Sequence, residues 1–305
     1  MLILSFKNNS KDKEAYFESE DDSFYDSDNN PIKTEIFFPA RDLTKLEWFF
    51  NAEILPGETR KGFAVFRVKR KANYELRLTP TSYVNDAKDL VLNINSSKYS
   101  DNSEELIKLS KTYIDNVFLG RHTETKLDNN VAASRSAFKK TLSENLSDSV
   151  SYKYRPTAAE TKTPINALIA ANAKRGEVEY SILENFPDYA LINVKVRAID
   201  FNYIDMTEIM TDWTEKNYQK YQSKGKNTTE INDKLNQDAV KFLMNQLPAS
   251  IEQTPVTSPL FMKDGYEMAL TKDSSGKWSV DETDNLENDA FYDLRTAFMG
   301  GLEGY

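Results

Sequence analysis

The chain has 305 residues, is 39% hydrophobic, and carries 17 Phe, 16 Tyr, one His and no Cys. That length and aromatic content suffice for two full-sized hydrophobic cores and exclude a disordered chain. The lack of Cys removes disulfides, thiolate nucleophiles, zinc ribbons and iron–sulfur ligation, and a single imidazole, His122, argues against a His-ligated metal or a His-based triad. A formal net charge of −9 argues against a nucleic-acid surface, which needs a concentrated basic stripe, and no apolar run approaches a membrane span.

Residues 1–85 read as β-rich. Leu2–Phe6 is extended, but too short and too poor in basic flanking residues for an export signal. It reads as a strand whose first partner is missing, in a chain that begins inside a domain or just after removed export sequence. Asn8-Asn9-Ser10 breaks it and Tyr16-Phe17 resumes the pattern. An acidic connection, Glu18 to Asn30, leads to the bulky core candidates Ile36-Phe37-Phe38 and Trp48-Phe49-Phe50. A Pro56-Gly57 turn then launches a strand through Phe66 and Val68. Tyr74, Leu76 and Leu78 alternate with Glu75 and Arg77, the mark of a half-buried antiparallel strand. A hairpin that buries Phe66 and Val68 with Tyr74 and Leu76 pairs Val68 with Tyr74 and Phe66 with Leu76, and sets Arg67 opposite Glu75. Residues 86–102, rich in Ser, Asn and Asp, read as a linker.

Residues 103–305 switch to helical periodicity. Ser103 caps a helix with Leu106, Leu109, Tyr113 and Val117 on one face, ended by Gly120. A second helix carries Phe138, Leu142 and Leu146. A third starts with Thr163 as cap and Pro164 at the first helical position, and closes with Lys174-Arg175-Gly176. Two alternating strands follow, Val178–Ile182 and Ala190–Ala198, joined by Pro187-Asp188-Tyr189, so that Ile182 faces Val194 and Glu179 faces Arg197. Asp205 and Glu208 resemble a capping box ahead of Met206, Met210 and Trp213. A further helix runs from Ile231 until Pro248. A last hairpin turns at Asp273-Ser274-Ser275-Gly276, and a short helix covers Asp289–Phe298. Helices on one face of a small antiparallel sheet make an α+β domain.

The segments Pro56-Gly57-Glu58, Gly62-Phe63-Ala64-Val65-Phe66 and Tyr74-Glu75-Leu76 resemble the closing hairpin of the immunoglobulin-like domain of many Gram-positive cell-surface lipoproteins. Leu4–Ser10 and Tyr25–Asn30 look like its early strand and its Asp-rich turn. Tyr113–Gly120, Val194–Asp200, Lys263-Asp264-Gly265-Tyr266 and Gly276–Asp281 resemble the helix–sheet domain that often follows, comparable with the nuclear-transport-factor-like or cystatin-like group. The resemblance implies a two-domain protein: an immunoglobulin-like β-sandwich lacking its first strand, followed by an α+β domain with helices packed on an antiparallel sheet. It also implies an extracytoplasmic, cell-surface location, with membrane contact only through a lipid anchor that this chain does not contain.

Glu18, Glu20, Asp21, Asp22, Asp26 and Asp28 depart from the EF-hand spacing and read as a solvated loop, so no metal is expected. His122 reads as a helix-end residue beside Arg121. Lys61, Arg67, Lys69, Arg70 and Lys71 form a basic hairpin tip. Tyr180, Phe261, Tyr266, Met268 and Trp278 are the candidate ligand-binding residues of an apolar cavity between sheet and helices. The expectation is a non-enzymatic envelope binding or scaffold protein without cofactor, whose partner is an envelope protein or a small ligand. The alternative is a cone-shaped α+β enzyme that uses Asp, Glu or Tyr as acid and base.

Overall fold

A computed structural model describes residues 2–18, 24–32, 47–66, 68–69, 71–81, 89–98, 101–150, 153–222, 227–257, 264–283 and 289–302. Ile36, Phe37, Phe38, Arg67, Arg70, Lys263, the acidic residues Glu20, Asp21 and Asp22, and the candidate site residue Phe261 lie outside the described residues. The chain divides into two compact units, Met1–Asp101 and Asn102–Tyr305.

Unit 1 contains β1 (Leu2–Lys7), β2 (Ala15–Tyr16), β3 (Phe24–Asp26), β4 (Glu47–Trp48), β5 (Glu53–Ile54), β6 (Thr59–Ala64), β7 (Asn73–Leu78) and β8 (Leu90–Asn95). They assemble into the sheets β1-β6-β4, β2-β5 and β3-β7-β8, around a core that buries Phe17, Phe24, Phe49, Ile54, Tyr74 and Leu76. The hairpin expected between Phe66–Val68 and Tyr74–Leu76 does not form. β6 pairs with β1 and, in parallel, with β4, whereas β7 pairs with β3 and β8. Phe66 stacks on Phe24, 4.3 Å between ring centroids, and Val68 is exposed. Alternation states which side chains a strand buries and leaves its neighbour open, and here the two alternating runs belong to different sheets. Lys71 takes a left-handed φ of 52°, and the Lys69 N–H donates to the Tyr74 hydroxyl at 2.6 Å, so the intervening segment is turned away from a ladder. The stretch 86–102, expected as a linker, contains β8, paired with β7 over six residues.

Unit 2 opens with three helices, α1 (Ser103–Val117), α2 (Val131–Val150) and α3 (Ala158–Arg175). α1 starts at Ser103 itself, after an Asn102 whose side chain makes no capping bond. α3 begins earlier than Thr163. Thr157 and Glu160 form a reciprocal capping box, and two alanines between them propagate the first turn, so Pro164 lies inside the helix. Gly176 closes α3, donating to the Asn172 carbonyl at 2.8 Å, with an extended φ of −66° and not the left-handed one. Glycine is still required, because a Cβ there would sit 2.6 Å from the Asn172 carbonyl oxygen.

Next come β9 (Glu177–Asn185), β10 (Tyr189–Ile199), α4 (Met206–Gln222), α5 (Thr228–Gln253), β11 (Val256–Thr257), β12 (Tyr266–Lys272), β13 (Trp278–Val280) and α6 (Ala290–Ala297). α5 continues through Pro248, where a stop was expected. β10 is the central strand, flanked by β9 and β12, with β11 at its end and β13 beyond β12. The hairpin β9–β10 forms, with a register two residues away from the expected one. Ile182 faces Ile192, Glu179 faces Lys195, and Glu177 faces Arg197, to which it is ion-paired at 2.7 Å. The loop is effectively two residues, Pro187-Asp188, closed by the Phe186 N–H on the Tyr189 carbonyl at 2.8 Å. Such an even loop would turn every inward side chain outward. A bulge at Leu183, between the pairs Glu184–Leu191 and Ile182–Ile192, supplies the odd residue that restores parity.

The helices cover the face of β10 that carries Ala190, Ile192, Val194, Val196 and Ala198. Residues 291–302 complete this core with Phe291, Leu294, Phe298, Met299 and Leu302. Their backbone is fixed from three elements: Asn172 donates to the Phe298 carbonyl at 3.2 Å, the Phe201 N–H to Gly300 at 2.7 Å, and Asn145 to Leu302 at 2.8 Å. Gly300 has φ +66°, and a Cβ on it would meet the Ile199 carbonyl oxygen at 2.1 Å. Asn172 is buried and also accepts from the Ile199 N–H at 2.8 Å, so one amide joins α3, β10 and the chain end. Asn172→Leu leaves a buried donor and a buried acceptor unpaired, and the expected loss is about 2–4 kcal/mol, read by chemical denaturation.

Candidate functional site

The four described members of the set expected to line a cavity, Tyr180, Tyr266, Met268 and Trp278, are brought onto one face of the sheet, as part of the packed core. Tyr180 and Tyr266 flank Val194 from either side, and Met268 lies opposite Ile192. Tyr266, Met268 and Trp278 are buried, and Tyr180 packs half-buried against the same cluster. The Tyr180 hydroxyl is pushed above the usual phenol range by burial and then by the field of Asp115, with Arg121 opposing. Facing helices fill the space with Tyr113, Phe118, Phe138, Phe291 and Phe298, Phe118 stacking on Phe298 at 4.8 Å. Met206 and Met210 of α4 pack on this core, and Trp213 stacks on Phe242 of α5.

An open groove of about 490 Å³ instead lies where α1 and α3 end beside the middle of α2. Leu119, Ile169, Ala170 and Ala173 supply apolar lining, and Arg121, Lys139, Lys174 and Asn166 supply the polar lining, with no carboxylate among the lining residues. Gly120, at φ +62°, turns the chain out of α1, and a Cβ on it would come within 3.0 Å of Ile169. The cations are placed by helix termination: Arg121 follows α1 and Lys174 closes α3, where the helix dipole favours positive charge. Arg121 is held by the buried Asp115 at 2.7 Å and donates to the Ala173 carbonyl, while Lys111 takes the other Asp115 oxygen at 2.9 Å. Lys139 donates to Asn166 at 3.2 Å. His122 is exposed just beyond α1, its Nδ1 3.1 Å from the Arg135 guanidinium, which also donates to Asn116. This is a helix-end setting. Side chains of this kind can attract and orient an anionic group over an apolar floor.

The described acids are mostly engaged in holding structure. Asp26 accepts from the backbone of Asp28 and Asn30 and from the Asn30 side chain, contacts that hold it below the usual carboxylate range. Glu282 accepts from Tyr113, Asn129 and Ser134 at 2.7–2.9 Å, tying α1 and α2 to the end of β13. Glu184 differs. The Leu183 bulge turns it to the face away from the helices, beside Leu191, where it is 5% exposed and its Oε2 has no hydrogen-bond partner. Burial, and secondarily the charge of Glu267, push its carboxyl up to about 7. The sequence marks Gly120, Arg121 and Lys174 as helix-end residues without pointing to a groove, and nothing in it singles out Glu184.

No family model matches the chain, nor does any curated protein. Among solved structures it is similar to YcdA of Bacillus subtilis, provisionally assigned as a lipoprotein, at 19% identity and a TM-score of 0.57 over 97% of this chain and 87% of that one. At this identity the likeness establishes a shared fold. Among the described residues no helix is long and apolar enough to cross a membrane.

Because the Glu184 carboxyl is raised in the folded state, the native protein binds more protons than the unfolded chain between about pH 4.5 and 7. Its contribution to stability is complete below that window and is lost as pH rises through it. Glu184→Gln removes the ionisation, so the variant is expected to exceed the parent in stability by roughly 1–3 kcal/mol at pH 8 and to lose most of that advantage at pH 5. Denaturant titrations of both proteins at the two pH values check this.

Proposed function

We propose that the protein works outside the cytoplasm as a non-enzymatic binding or scaffold protein of the cell envelope. In this reading unit 1 is an immunoglobulin-like spacer, and the helix–sheet unit takes an anionic ligand in the groove at the ends of α1 and α3. The observation that carries the reading is the groove lining: three cations and no carboxylate, in a chain with 48 acidic and 39 basic residues. A local reversal of sign over an apolar floor selects anionic groups that also carry hydrocarbon, such as a phosphodiester polymer with an aliphatic backbone. A fold shared with a protein provisionally assigned as a lipoprotein supports the location.

A second reading, an acid–base enzyme, is favoured by one observation, a buried carboxyl that titrates near neutrality at Glu184. That carboxyl faces away from Tyr180, Tyr266 and the groove, so it shares no described site with them. The binding reading therefore stands first.

Poly(glycerol phosphate) is a suitable probe, titrated calorimetrically into the full chain at two salt concentrations. The expected result is binding that weakens with salt, and that the double variant Lys139→Glu with Lys174→Glu weakens at least about tenfold with an unchanged circular dichroism spectrum. Absence of binding, or binding that the double variant leaves intact, overturns the assignment to the groove.

A further inference from the structure

The sheet β3-β7-β8 ends on β8, and among the described residues no strand pairs with the outer edge of β8. Leu90 and Leu92 lie opposite Leu78 and Leu76, which are 5% and 0% exposed. They are themselves 38% and 42% exposed, and Val91, on the reverse face, is 49% exposed. The sheet thus overhangs its own core by one strand, presenting three consecutive apolar side chains beside a row of backbone groups able to pair. The two ends of this strand differ in charge. Asp89 precedes it and Lys98 follows it. Lys69 and Lys71 are held at the Lys98 end, because the Ser96 hydroxyl donates to the Lys69 carbonyl and the Ser96 N–H to the Ala72 carbonyl, each at 2.9 Å.

We propose that β8 pairs antiparallel with β8 of a second copy of this chain, around a two-fold axis at Leu92, joining two three-stranded sheets into one of six strands. A two-fold axis perpendicular to the sheet keeps the inner faces of both copies on one side, so opposed residues must have the same parity. With the axis at Leu92, Leu92 meets its own counterpart, Leu90 meets Ile94, and Val91 meets Asn93. The apolar row Leu90, Leu92 and Ile94 then continues without interruption across the junction on the core side. β8 contains no charged residue that would oppose itself, which matters in a chain of net charge −9. Antiparallel pairing also carries Asp89 of each copy toward the Lys69, Lys71 and Lys98 end of the other. This two-fold match in shape and charge is what selects a second copy over an unrelated strand. It lies wholly within unit 1, so it stands or falls independently of the groove.

Sedimentation of the full chain over a concentration series is expected to show a reversible dimer. Leu92→Lys sets two cations opposite each other at the axis and is expected to raise the dissociation constant at least about tenfold, with the circular dichroism spectrum unchanged. Should that variant misfold, Val91→Lys on the other face makes the same test. In this cysteine-free chain, Leu92→Cys places one thiol at the axis and is expected to give a disulfide-linked dimer with diamide, while Ile3→Cys, at a 63% exposed position on β1, stays monomeric. A chain that is monomeric throughout, or a dimer untouched by both lysine variants and not trapped by Leu92→Cys, overturns the proposal.

Discussion

The helix–sheet unit is organised around β10, a strand hydrogen-bonded along both edges and, over Tyr189–Ile192, buried on both faces. On one side Ala190, Ile192 and Val194 are fully covered by helices, and on the other Tyr189 and Leu191 are buried as well. A strand so constrained has one acceptable register, because a slip of one residue would exchange two differently packed faces. The bulge at Leu183 is the cost of meeting that constraint with a two-residue loop. It also has a chemical result, since the residue after it, Glu184, is turned onto the face away from the helices without a partner for its Oε2. One irregularity in a hairpin thus explains both the register and the most perturbed carboxyl described.

The groove arises from equally local causes. Helices end where a glycine turns the chain and where cations complement the exposed carbonyls. Because α1 and α3 terminate side by side, the residues that finish them, Gly120, Arg121 and Lys174, converge, and Lys139 of α2 adds to the same field. The buried Asp115 fixes Arg121 without entering the lining. Helix termination thus accounts by itself for two of the three cations that line this groove.

Much of this architecture is legible from the residues. The apolar repeats of α1, α2 and α6 locate those helices, and the alternation in β9 and β10 identifies the hairpin with its buried face. Its register escaped because nothing about Leu183 marks a bulge. The start of α3 is ambiguous for another reason: Thr163-Pro164 offers a competing start, which the reciprocal Thr157–Glu160 capping bonds and the two alanines between them override. In unit 1 the alternation at Tyr74–Leu78 matches β7, whereas the strand before it ends at Ala64 and pairs elsewhere, because pairing is decided across the core. Tyr180, Tyr266, Met268 and Trp278 face inward, and periodicity cannot distinguish a cavity lining from a core filling. Arg121 and Lys174 are legible as helix-end cations, but nothing in the sequence brings them together with Lys139 of α2.

The order in which the helix–sheet unit can be made follows from how residues 291–302 are fixed. Phe298 and Leu302 fill the interior between α2, α3 and β10, and their carbonyls are bonded by Asn172 and Asn145. Among the described residues this keystone is the last part of the unit in chain order. Without it, the core has a gap where Phe298 and Leu302 belong. Docking of this one segment is therefore the step that completes the packed interior of the unit.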